Sequence, residues 1–185
     1  MSMDTTREPV TDEILVQRAQ RGDRAAFEAL CERHLPFVYS RLTALLPPEA
    51  VEDVTQEVFV AVLRSIRRYR GHSLFRTWLS GVIRHKVADY YRRRRRQGTA
   101  VSLDEVPQKD RSDNWEERAL VRIALNRLPA HYQEVLLLRF VEGRSFNEIA
   151  EILDISLEAA KSRYRRAVQA VAREMGYRRK HSGSK

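Results

Sequence analysis

The chain has 185 residues, 43% hydrophobic and 32% charged, enough for one ordinary domain or two small ones with packed cores. Its 34 basic and 25 acidic residues give a formal charge of +9, which favours a polyanionic partner such as nucleic acid or an anionic membrane surface. A single cysteine, Cys31, excludes an intramolecular disulfide, and no apolar run approaches the ~20 residues needed to insert into and cross a membrane. The opening MSMDTTREPV is polar and unlike a signal peptide, so a cytoplasmic location is expected. Lysine occurs only at 86, 109, 161, 180 and 185, so most of the positive charge is arginine, whose planar fork suits phosphate and guanine.

Helical periodicity dominates from residue 11 onward. Residues 11–46 carry Ile14, Leu15, Ala19, Phe27, Leu30, Leu35, Val38, Leu42 and Leu45 at helical spacing. Gly22 interrupts that stretch, Asp23 is placed to cap a second helix, and Pro47-Pro48 ends it. A helix over 49–69 follows, closed by Gly71, and another over 73–95 with Ser73 as its expected cap. Residues 97–113 turn polar, hold Gly98 and Pro107, and read as a linker. Four more helices are predicted over 115–127, 130–142, 145–153 and 156–175, after which 176–185 reads as a disordered basic tail. The first ten residues read the same way. The fold class is all-α: two small helical domains, 11–96 and 114–175, joined by a flexible linker.

Charge is segregated along this plan. Residues 1–60 carry a net −5, residues 61–100 a net +11, residues 101–160 a net −5 and residues 161–185 a net +8. Either basic run alone would pass as a solvated face. Two of them, alternating with acidic segments, suggest two cationic surfaces.

Three constellations carry chemistry. Asp53, Gln56 and Glu57 are spaced i, i+3, i+4 and share a helix face, opposite Val51, Val54, Val58, Ala61 and Val62. An acidic-amide face suits a basic protein surface; a solvated face is the plainer alternative. Residues 67–79, RRYRGHSLFRTWL, interleave arginine with aromatics, a composition that suits unpaired DNA bases beside a phosphate backbone. Core packing is at least as good a reading for Phe75 and Trp78. Arg84, His85, Lys86, Tyr90, Tyr91 and the five arginines 92–96 extend the track. Finally, Ser145 and Glu148 form a capping box, Ile149, Ala150 and Leu153 a stripe, and Asp154 a turn position that needs positive φ. A basic second helix follows, with Ala160, Tyr164, Ala167 and Val168 as its expected buried face. That is a helix-turn-helix pattern, against the alternative of an ordinary helical hairpin.

In order and spacing these residues resemble the sigma-70 family of bacterial sigma factors, in the compact extracytoplasmic-function (ECF) group, from about Asp12 to Ala172. DVTQEVF at 53–59 is similar to the region-two signature DxxQExF; residues 70–79 and 83–95 to the segment that melts and reads the −10 element; residues 128–144 to the lead-in to region four; and residues 145–168 to its helix-turn-helix, which reads −35 DNA. The chain departs from the family at Asp154, where Gly is usual, at Ala159-Ala160, where Thr-Val is common, and at His85, where Asn is common.

The resemblance implies a sigma factor, not an enzyme, with no cofactor, whose partners are core RNA polymerase, promoter DNA and an anti-sigma factor. It implies polymerase docking by Asp53, Gln56 and Glu57, and −10 contacts by Arg70, His72, Ser73, Phe75 and His85. It implies −35 contacts by Ser156, Glu158, Ala159, Lys161, Ser162, Arg163 and Arg166. Glu158 would accept from a cytosine amino group and Arg163 would fork onto guanine.

The 17-residue linker spans at most about 60 Å extended, but as a free coil its ends average only ~23 Å apart. The halves are therefore expected to lie close in the free protein and to be spread by polymerase. A polymerase-independent helix-turn-helix regulator is the first rival; it explains 145–175 but leaves the Asp53, Gln56 and Glu57 face and the Arg-aromatic segment unexplained. An RNA-binding protein ranks lower, without an RNP strand motif or a GXXG loop. Cys31 and His34 share a helical face but lack the partners of a metal site.

Overall fold

The computed structural model describes residues 10–96 and 115–182, so the linker reading and the first nine residues lie outside the described residues. The helices are α1 (Asp12–Gln20), α2 (Arg24–Leu45), α3 (Pro48–Ser65), α4 (Phe75–Arg96), α5 (Trp115–Arg127), α6 (Ala130–Leu136), α7 (Phe146–Leu153) and α8 (Leu157–Ser182). A 3-10 turn over Ile66–Arg68 follows α3, and a π turn over Leu137–Val141 extends α6. No strand occurs among the described residues.

Local chemistry sets most boundaries. The Asp23 carboxylate accepts from the Ala26 amide at 3.0 Å and starts α2. Pro48 opens α3 at its first turn, where a missing N–H removes no helical bond. Pro36 lies inside α2, a position that costs about 3 kcal/mol in an isolated helix. The helix runs through it because Leu30, Phe37, Val38 and Leu42 are all buried around it.

Two cores form. The first gathers Leu30, Val38, Leu42, Val54, Val58, Leu79 and Ile83 from α2, α3 and α4; the second gathers Val135, Leu138, Ile149, Ala160 and Ala167 from α6, the π turn, α7 and α8. Several predictions need correction here. Ile14 and Leu35 are 48% and 45% exposed, and Phe37 supplies the buried ring instead. Val168 is 40% exposed, while Val171 packs on the second core. The helix expected to end near Met175 continues to Ser182, so residues 176–182 are helical rather than part of a disordered tail. One internal glycine costs a helix only about 1 kcal/mol against alanine, and no proline follows to stop it.

The cores are not independent. Leu137 is buried in the first core, with Leu125 and Val141 packed against it. The Asn126 amide donates to the Leu45 carbonyl at 2.9 Å, beside the Tyr91 hydroxyl, which donates to the same carbonyl at 2.8 Å. The described halves therefore lie against each other, as the linker arithmetic suggests.

Candidate protein and nucleic-acid interfaces

The acidic face on α3 forms as its spacing predicts. Val51, Val54, Val58 and Val62 are buried, and Asp53 and Gln56 point to solvent. Glu57 is only half exposed: it accepts from Arg93 of α4 at 2.8 Å and lies 3.8 Å from Lys86. Beside this face is an apolar surface that periodicity did not mark. Leu35 and Tyr39, 45% and 52% exposed, flank Pro36 along α2 and share a shallow groove with Glu52 and Gln56. Pro36 inside a stretch of helical periodicity, with Leu35 and Tyr39 on either side, was the available signal.

The Arg-aromatic segment divides into a buried base and an exposed rim. Phe75 is 4% exposed and packs against His34, Tyr69 and Trp78, with ring centroids 5.1, 5.8 and 5.5 Å away. Its ring cannot stack on a base in this conformation, which corrects its place among the −10 residues. It supports the loop instead. The expected helix cap is corrected as well, while Ser73 stays a −10 candidate: α4 begins at Phe75, and the Leu74 carbonyl accepts from Trp78 where a cap residue would. The Ser73 carbonyl accepts the Tyr69 hydroxyl. Gln20 donates to the Ile66 and Tyr69 carbonyls at 2.9 and 2.8 Å, tying the 3-10 turn to α1. Gly71 then turns the chain at φ +74°, in the left-handed region that favours glycine.

Arg70, His72 and Ser73 are thereby held exposed on one loop, joined by Leu74 at 59% exposure. His85 and Arg84 are also exposed but lie on α4, about 15 Å from its start at 1.5 Å per residue. One loop and one helix face, about three turns apart, thus make up the −10 candidates.

The C-terminal motif is a helix-turn-helix in geometry. Ser145 caps α7 by accepting from the Glu148 amide at 3.3 Å, and the Glu148 carboxylate accepts from the Ser145 amide at 2.8 Å. The Ser145 amide, with Arg144 beside it, holds the Glu148 carboxyl down at about 2. Asp154 takes the left-handed turn at φ 50° and ψ 54°, and the Ile155 amide donates back to the Ala150 carbonyl at 3.0 Å. Aspartate replaces glycine there without changing the motif.

On α8, Ser156 uses its hydroxyl to cap the helix, accepting from the Ala159 amide at 3.1 Å. Glu158 is exposed and accepts from Lys161 at 2.9 Å, a contact that lowers its pKa. Ala159, Lys161 and Ser162 are half-buried and Arg166 is exposed. Arg163 is half-buried and lines a cavity of about 380 Å³ that also touches Leu74, Thr77 and Arg84 of the N-terminal half. Duplex DNA is far too wide for that cavity.

The other ionisable candidates are spoken for. His34 bonds Asp12 through Nε2 at 2.8 Å and is held below its ordinary pKa by burial, against the pull of Asp12. Burial, then Glu28 and Glu32, pushes the Cys31 thiol up to about 11, so it is protonated at neutral pH. Among the described residues no cluster of three metal-ligating side chains occurs, and no helix is long and apolar enough to cross a membrane.

Comparison with known proteins divides the chain along the same lines. A family model for sigma-70 region 2 matches residues 30–97, and one for sigma-70 region 4 matches residues 118–171. The chain is 31% identical over 180 residues to the ECF RNA polymerase sigma-E factor of Haemophilus influenzae, covering 89% of this chain and 95% of that protein. It is 29% identical over 183 residues to the protein of the same name from Escherichia coli K12, covering 89% and 94%. Among solved structures, CnrH in complex with the cytosolic domain of CnrY aligns with a TM-score of 0.56 at 27% identity, over 90% of this chain and 97% of that one. The sigma factor RpoE from Bartonella quintana, solved with the anti-sigma factor NepR, shares the fold at a TM-score of 0.51 and 22% identity, over 81% and 96%.

Proposed function

This chain belongs to the ECF group of the sigma-70 family, and from that premise we propose how its surfaces divide the work of promoter-specific transcription initiation. It binds core RNA polymerase in the cytoplasm and directs it to promoters, with no bond chemistry of its own. Asp53 and Gln56, with Glu57 at their edge, dock on a basic surface of polymerase, and the groove of Leu35, Pro36 and Tyr39 extends that contact. Arg70, His72 and Ser73 meet −10 DNA from the loop, and His85 meets it from α4. Leu74, apolar and exposed at the same loop, is placed to wedge beside an unpaired base. Ser156, Glu158, Ala159, Lys161, Ser162, Arg163 and Arg166 meet −35 duplex.

The observation that carries this reading is the joint presence of the exposed acidic face on α3 and the capped helix-turn-helix. A regulator that works without polymerase needs only the second. An anti-sigma factor is the expected regulator, the partner that the family resemblance implies. The experiment is initiation by core polymerase with and without this protein. Starts that vanish on Asp53→Ala/Gln56→Ala/Glu57→Ala support the reading; specific duplex binding without any starts supports the regulator.

A further inference from the structure

The exposed loop from Arg70 to Ser73 has no hydrogen-bond ladder of its own. Among the described residues, none of the amides of Arg70, Gly71, His72 and Ser73 donates a backbone hydrogen bond. Hydrogen bonds hold the loop at its two ends instead, and one residue serves both. The Tyr69 hydroxyl donates to the Ser73 carbonyl and closes the loop. The Tyr69 carbonyl, at the entrance, accepts from the Gln20 side chain at 2.8 Å. The Tyr69 ring rests on Phe75 and Trp78, with centroids 5.8 and 5.4 Å away.

Gln20 belongs to α1 and meets carbonyls 46 and 49 positions further along the chain. Its amide nitrogen carries two N–H donors, and the Ile66 and Tyr69 carbonyls take one each. The Ile66 carbonyl also accepts from the Tyr69 amide at 3.1 Å, so Gln20 grips both ends of the 3-10 turn. Gln20 is itself firmly placed. It is the last residue of α1, whose Leu15 and Val16 are buried in the first core. Past it, Gly22 turns the chain at φ +93°, and the Arg18 side chain donates to Asp23 across the turn at 2.8 Å. An apolar side chain of the same length at position 20 would offer neither carbonyl a donor.

Base reading depends on such a root. Groups that select a base must be held within about 0.5 Å of their working positions by neighbours that are themselves fixed. A loop free to take several conformations offers several sites, and a surface that re-packs accepts more partners. Gln20 is half-buried and bonds only the backbone beneath the loop, so it acts through Tyr69. It also lies ahead of residues 30–97, the stretch that matches the region-2 model.

Resting on the sigma-factor reading, the structure assigns Gln20 as a positioning residue for −10 recognition. With Tyr69 it fixes the loop that carries Arg70, His72 and Ser73, and so sharpens the choice of −10 bases. Its effect is confined to that element, since α8 packs on the second core.

The test uses core polymerase with wild type, Gln20→Met or Tyr69→Phe. Gln20→Met keeps the length without the donors, and Tyr69→Phe keeps the ring without the hydroxyl. Templates carry the −35 element of a wild-type start site and randomised −10 bases, and sequencing of the initiated templates reads base preference. Each variant should lower the preference for the best −10 base at one or more positions by about fivefold, as loss of one net hydrogen bond would. In a companion pool with randomised −35 bases, preferences should match wild type. Amide exchange at Tyr69, whose N–H closes the 3-10 turn, should quicken in free Gln20→Met. Fewer starts from both pools with unchanged base preferences would make Gln20 merely structural and overturn the assignment. Preferences and exchange equal to wild type would overturn it as well. If circular dichroism shows Gln20→Met unfolded, Gln20→Asn, which draws the amide back by one methylene, decides in its place. Absence of starts from wild type would instead defeat the sigma-factor reading, and exchange at Tyr69 would still decide whether Gln20 holds the loop.

Discussion

Glu57 on α3 accepts from Arg93 on α4 at 2.8 Å, so one of the three residues assigned to polymerase already works inside the protein. Among the described residues, Asp53 and Gln56 have no such second duty. Asp53→Ala and Gln56→Ala should weaken binding to core polymerase while leaving stability within about 0.5 kcal/mol of wild type. Glu57→Ala should weaken binding and also lose the α3–α4 tie, costing up to about 1 kcal/mol for a half-exposed pair. Thermal unfolding beside a binding titration separates the two effects.

Arg163→Ala should cost ~1–3 kcal/mol of −35 binding within holoenzyme and relax the preference at one base. Selection of −35 sequences from a randomised pool by mutant and wild-type holoenzyme reads both. A loss spread evenly over all sequences would make Arg163 a phosphate contact instead.

His34 gives the N-terminal half a pH dependence whose sign is fixed by its burial. Its folded pKa is held below the ordinary value of 6.5, so below that pH the unfolded chain binds a proton that the folded one refuses. Stability is therefore complete above about pH 6.5 and falls as pH drops through the folded value, by at most about 1.4 kcal/mol per pH unit. His34→Gln keeps a donor for Asp12 and should flatten the slope of melting temperature between pH 6.5 and 5. An unchanged slope would place the titration elsewhere.

The capping box on α7 should be visible in the same way but at lower pH. Ser145→Ala should destabilise the helix-turn-helix by about 1 kcal/mol. The Glu148 carboxyl titrates at about 2 in the folded chain against an ordinary 4.5, so its stabilisation is present above pH 4.5 and is lost as pH falls toward 2. The gap in melting temperature between wild type and Glu148→Gln should accordingly narrow from pH 5 to pH 3.

What the sequence made legible was local. Asp23 capping α2, the Ser145–Glu148 box, the left-handed Asp154 and the valine stripe of α3 each depend on residues within a turn or two. The misreadings came from tertiary packing. Phe75 sits where bases were expected because His34, from a helix forty residues earlier, packs against it. Leu35 faces out although its spacing fits the stripe, and Ser73 lost the cap position to Leu74 once the Tyr69 hydroxyl took its carbonyl. The tie between Arg41 and Glu142 spans 101 positions and leaves no trace in any periodicity. The linker arithmetic anticipated that the halves would meet, but not which residues would hold them.

The account turns on one measurement: mapping start sites on a fragmented genomic library with core RNA polymerase lacking sigma, with this protein and with its Asp53→Ala/Gln56→Ala/Glu57→Ala variant. The account predicts discrete starts that appear only with the wild-type chain, share −35 and −10 sequences, and vanish with the variant. Absence of starts with a cognate polymerase, while the free protein still selects specific duplexes, would contradict it and reduce residues 53–57 to a solvated face.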